Sequence, residues 1–189
     1  MNIVKLFEML LSDKPSDVIK NNEDKIFLLI PELSLCKGFN QNNEWHIYDV
    51  YEHILKVVDN VPPNIILRLA ALFHDIGKPE SYFEDENKVG HFYGHWEKSK
   101  EIFDSFSSKF LIDKSIKESV SKLIYYHDMN ITKLSLDEIN KLFETFKIEE
   151  IKMLYQLKRA DLLAQNKKYH YLLNEYDKQE KKILLRISK

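Results

Sequence analysis

Five ionisable residues occupy positions that their neighbours' periodicity assigns to a protein interior. Val50, Ile54, Val57 and Val61 form an apolar stripe at helical spacing, and His53 falls inside it, three residues from Val50 and four from Val57. His74 and Asp75 sit side by side in LRLAALFHDIGK, a stretch so apolar on every face that it must be buried. His127 continues the stripe of Ile116, Val120, Leu123 and Ile124, and Asp161 continues Leu154 and Leu157 toward Ala164. A titratable group buried without a partner costs several kcal/mol. One histidine on an apolar stripe is more often a hydrogen-bonded core residue than a ligand, but five such residues on converging faces call for a common partner. Together with His95, they are spaced one helix and its loop apart, so successive helices of a bundle would each project a ligand inward. Imidazole and carboxylate without thiolate suit a divalent Fe, Mn, Zn, Co or Ni ion rather than a structural zinc finger. Lys78 follows the His74-Asp75 pair and reads either as a solvated helix-end lysine or as a member of the site.

The elements that must position these residues are helices. Gly and Pro number only 4 and 5, and apolar residues recur at three and four rather than two, an all-α pattern. The spacing predicts helices over about 3–11 and 24–30, with Pro31 interrupting or restarting the second, and CKGFNQNNEW as a loop. Asp49 caps a helix to about residue 60, and Asn64 caps one that ends near Gly77-Lys78-Pro79. Residues 81–92 allow one short β-hairpin. Further helices are expected over 94–109, 113–127, 135–146, 149–166 and 169–187, with Ser135 and Glu138 spaced as a capping box. At 189 residues the chain is expected to be a single domain with its core at about 31–165 and flanking terminal helices. Its 28 Lys and Arg against 30 Asp and Glu leave a net charge of -2, which disfavours extended nucleic-acid binding. One cysteine, Cys36, and no signal-peptide pattern imply a reducing cytoplasm. The longest apolar runs fall far short of the ~18 residues that span a bilayer.

His53, His74-Asp75 within FHDIGK and Asp161 within KRADLL resemble the H…HD…D signature of HD-domain metal-dependent phosphohydrolases. The resemblance extends through WHIYDVYEHIL, LRLAALFHDIGKP, HFYGHWEKS, YYHD and RAD to the C-terminal HD domain of bacterial multifunctional tRNA nucleotidyltransferases, over roughly residues 31–165. It implies an all-α HD-domain bundle in which His53, His74, Asp75 and Asp161 bind one divalent ion. His95 and His127 stand where such domains place ligands for a second, with Asp75 bridging and the metal drawn from Fe, Mn, Ni, Co, Zn and Mg. His46 beside Trp45, and His91, match histidines expected to touch substrate. Trp45 offers a face on which a base could stack, Asp75 and Lys78 are the expected catalytic residues, and His170 and Cys36 match nothing and read as structural or surface residues. The implied activity is hydrolysis of nucleotide-like phosphate esters, 2′,3′-cyclic phosphates or nucleoside monophosphates, by metal-activated hydroxide, with a small nucleotide or RNA end as partner. No nucleotidyltransferase head is present in the sequence, so nucleotide addition is not implied. Two other readings share the same residues: an HD-fold diiron oxygenase, and a non-catalytic module that binds nucleotides or RNA ends.

Overall fold

The computed structural model describes residues 1–187. Helices α1 (Ile3–Leu10), α2 (Pro15–Lys20), α3 (Glu23–Leu29) and α4 (Pro31–Cys36) open the chain. The stretch between the predicted helices 3–11 and 24–30 contains α2, which that spacing does not predict, and the reason is tertiary. Pro15 starts the helix where no amide hydrogen is needed. Asp59 accepts hydrogen bonds from both Ser16 N (3.0 Å) and Ser16 Oγ (2.6 Å), so this helix is tied to a residue far along the chain. Pro31 restarts a helix, as α4, rather than only ending one.

Asp49 caps α5 (Val50–Asn60) by accepting from Glu52 N at 2.7 Å, and Asn64 caps α6 (Ile65–Phe73) by accepting from Ile66 N and Leu67 N. The latter helix ends at Phe73, short of the predicted Gly77. The backbone tightens there to bonds spanning three residues, Ile76 N to Phe73 O and Lys78 N to Asp75 O, before the short α7 (Lys78–Ser81). Strands β1 (Phe83–Glu84) and β2 (Gly90–His91) form the expected hairpin, antiparallel with Phe83 opposite His91. Then follow α8 (His95–Lys109), α9 (Lys114–Tyr126), α10 (Leu136–Thr145) behind the Ser135/Glu138 capping box, α11 (Ile148–Leu163), a 3-10 turn (Lys167–Tyr169) and α12 (Leu172–Ile187). The architecture is all-α, as the spacing predicts.

Helix α5 packs against α6 and α11, α6 against α9, and α9 against α8, so the ends of these five helices converge. Buried side chains from Leu6 to Ile183 form one connected apolar core around them. The buried Arg68 donates to Val58 O (2.6 Å), a carbonyl that the end of α5 leaves without a helical partner, and to Pro62 O (3.2 Å) in the loop that follows. Among the described residues, no helix is long and apolar enough to cross a membrane.

Candidate metal centre

The ligand candidates sit at helix termini. His53 lies in the first turns of α5, His74 and Asp75 follow α6, His95 opens α8, His127 follows α9, and Asp161 lies in the last turn of α11. All are buried except Asp161, which is partly exposed. Asp75 is the hub. Its Oδ2 lies 3.2 Å from both His53 Nε2 and His74 Nε2, while its Oδ1 lies 3.2 Å from His95 Nε2 and 3.4 Å from His127 Nε2. His53 Nε2 is also 3.1 Å from Asp161 Oδ1. His53, His74 and Asp75 therefore form one group able to hold a metal ion, and Asp75, His95 and His127 form a second.

Hydrogen bonding aims the imidazoles. Nδ1 of His74, His95 and His127 lies 2.8, 2.8 and 2.7 Å from the carbonyls of Ala71, Phe92 and Ile124, each three residues back. A carbonyl cannot donate, so each Nδ1 carries a proton, and the neutral ring then presents its Nε2 lone pair. At the ends of α6 and α9 those carbonyls are the ones the helix ladder releases, so the same bond caps the helix and orients the ligand. His95 Nε2 and His127 Nε2 then face one another at 3.1 Å with no hydrogen between them, an arrangement that a cation resolves. The donor set of neutral imidazoles and carboxylates fits a divalent metal.

The electrostatics agree. Burial opposes ionisation of Asp75, yet His74, Lys78, His127 and His53, all gathered on its two oxygens, hold its pKa well below the ordinary carboxylate range. Asp161 is likewise held low against its burial, chiefly by His53. Burial alone would lower the pKa of His53, but Asp161 and Asp75 raise it to about 9, so these carboxylates recruit positive charge to the spot where His53 Nε2 points.

Lys78 is buried and its three N–H groups meet three acceptors: Asp75 Oδ2 at 2.7 Å, Gln41 Oε1 at 2.7 Å and His46 Nε2 at 3.4 Å. It is thus a site residue, not a solvated helix-end lysine. His46 packs edge-on against the His53 ring, and burial together with Lys78 and His53 pushes its pKa well below the ordinary value. His91 lies on β2 at the rim, paired with Asp85 Oδ2 at 3.0 Å, and its ring is grouped with those of Phe83 and Tyr93, with all three pairs of ring centres 5.2 to 5.6 Å apart. Trp45 is also at the rim, but Tyr169 stacks on it at 3.5 Å between ring centres, so that face is already covered. Cys36 lies in the core, and His170, at the end of the 3-10 turn, keeps a buried Nε2 without a partner.

Above the histidines opens a cleft of about 710 Å³ that reaches Asp75, His95, His127 and Asp161 at its floor and Trp45 and Tyr93 at its mouth. Three polar residues of the site, Gln41 as a partner of Lys78 and Lys158 and Gln165 in the cleft lining, escaped the reading of the sequence. Gln41, in the loop before α5, gave no periodic signal. Gln165, whose Nε2 donates to Asp161 Oδ1 at 3.0 Å, and the buried Lys158 lie one turn either side of Asp161, on the stripe that flagged it.

Residues 44–166 match the family described as HD domain. The CC-adding tRNA nucleotidyltransferase of Thermus thermophilus is 34% identical over 104 residues, which are 52% of this chain and 24% of the relative. The matched portion thus spans about a quarter of that protein's length.

Proposed function

From the premise that this chain belongs to the HD domain family, we propose that it is a metal-dependent phosphohydrolase acting on nucleotide-like phosphate esters, with 2′,3′-cyclic nucleotides and nucleoside monophosphates as its substrate class. One observation carries the reading: a single buried carboxylate, Asp75, turns one oxygen toward His53 and His74 and the other toward His95 and His127. His53, His74, Asp75 and Asp161 would hold one divalent ion, and Asp75, His95 and His127 a second. Ions bound there supply a water whose pKa falls from 15.7 toward ~7 and polarise a phosphoryl oxygen. The protein's own part is to fix the Asp75 carboxylate through Lys78, to keep Nε2 of His74, His95 and His127 free of protons through their carbonyl bonds, and to surround the reacting ester with a cleft. His46, His91 and the uncovered part of Trp45 would meet the rest of the substrate. Similarity to a tRNA nucleotidyltransferase supports a nucleotide or RNA end as that substrate.

The test is a panel of cyclic nucleotides, mononucleotides and a generic aryl phosphate, run with Mn, Fe, Co, Ni, Zn and Mg. Phosphate ester cleavage faster for nucleotides than for the aryl ester is the expected result. A fully metal-loaded protein that cleaves none of them overturns the reading, and oxygen consumption by a two-iron form would point to oxygenase chemistry in its place.

A further inference from the structure

Lys158 is a buried ammonium with most of its hydrogen-bonding capacity unspent. It lies on α11 one turn before Asp161, is 7% exposed, and donates from Nζ to the His127 carbonyl at 2.5 Å. That leaves two of its three N–H groups without a hydrogen-bond partner among the described residues. The other lysines with buried or half-buried ammonium groups beside carboxylates are neutralised by contact, Lys78 by Asp75 at 2.7 Å and Lys122 by Glu150 at 2.5 Å. No ion pair among the described residues includes Lys158; Asp161 and Asp128 attract it only from beyond contact distance, and the Tyr176 ring lies 5.9 Å away. A buried cation without a contacting counter-ion is unfavourable unless an anion completes it. The open side of Lys158 lines the same cleft as Asp75, His95, His127 and Asp161.

We propose that Lys158 is the residue of this cleft that contacts the phosphoryl oxygens of the ligand, while Lys78, its donors spent, acts by holding Asp75. The inference rests on the phosphohydrolase reading above. The competing role is a purely structural one, since the His127 carbonyl lies at the C-terminus of α9, where a cation also complements the helix dipole.

Inorganic phosphate is the probe that separates the two. Calorimetric titration of the metal-loaded protein is expected to show Lys158→Met binding phosphate about tenfold more weakly or worse, the weight of one charge-assisted hydrogen bond, with metal content unchanged and Lys158→Arg close to wild type. Wild-type affinity in a folded, metal-loaded Lys158→Met protein overturns the proposal. Should that variant lose fold or metal, the unmodified protein still decides. The side-chain ¹⁵N signal of Lys158, assigned from its absence in Lys158→Arg, must move saturably as phosphate is added. Phosphate that binds while this signal stands still removes Lys158 and leaves the hydrolase reading intact. A metal-loaded wild type that neither binds phosphate nor cleaves any ester removes both.

Discussion

Asp75 has two oxygens, and each faces a different pair of imidazoles, so its replacement reaches both halves of the site at once. Asp75→Asn is expected to abolish phosphate release and to empty both metal positions, read by elemental analysis. It also leaves the buried Lys78 without its counter-charge, at a cost of about 3–5 kcal/mol that chemical denaturation would report. Near-normal activity in this variant would make the His74-Asp75 pair structural. His95 and His127 contact only the Oδ1 side, so His95→Ala or His127→Ala should lower bound metal from two toward one per chain without unfolding. A wild-type stoichiometry that never exceeds one would reassign both to substrate or packing. Cys36 illustrates a residue with the opposite expectation. Its burial, reinforced by the charge of Asp75, pushes the thiol far above its ordinary pKa, so thiol reagents should modify it only when the protein unfolds. Rapid modification of the native protein would contradict that.

At the scale of elements, the turn after α6 must lie close against the start of α8 for Asp75 to reach His95, and Gly77 permits the approach. Its amide donates to Ser99 Oγ at 2.9 Å, and a Cβ there would stand 2.7 Å from Ser99 N and 2.8 Å from His95 O, both backbone atoms that cannot rotate away. Gly77→Ala is therefore expected to cost about 1–3 kcal/mol through overpacking and to weaken the His95–His127 metal position more than the His53–His74 one. Denaturation midpoints and metal titration check the two parts separately; an unchanged midpoint would mean that α8 shifts freely. The same turn explains the early end of α6. His74 takes the Ala71 carbonyl with its side chain, and the backbone then proceeds through three-residue bonds that swing Asp75 and Lys78 toward the centre.

At the scale of the molecule, five helices from across the chain contribute to one centre, so an ion bound there favours the folded state alone and stabilises it by mass action. Chelation should lower the thermal midpoint, and re-addition of a divalent metal should restore it, the folded state gaining about 2.7 kcal/mol when free metal stands at 100 times its dissociation constant. A midpoint indifferent to chelator, in a protein that takes up no metal, would remove the metal centre from the account.

The helical stripes that carry His53, His127 and Asp161, and the caps at Asp49, Asn64 and Ser135, follow from local periodicity and local hydrogen bonding. The sequence by itself was therefore enough to determine an all-α chain with six ligand candidates turned inward. What lies between residues distant in sequence was settled by the tertiary structure alone. Helix α2 depends on Asp59, the division of the two Asp75 oxygens depends on how α5, α8 and α9 meet around one turn, and the Trp45 face is covered because Tyr169 packs upon it. The two lysines show the same limit. Helical spacing places Lys158 on an inward stripe and Lys78 beside the central pair, but only packing determines that Asp75, Gln41 and His46 consume the donors of Lys78 while Lys158, which lines the cleft, spends one of its three on the His127 carbonyl. A period reports which face of one helix is turned inward; the partner met there is fixed by the three-dimensional approach of other segments, which no local pattern encodes.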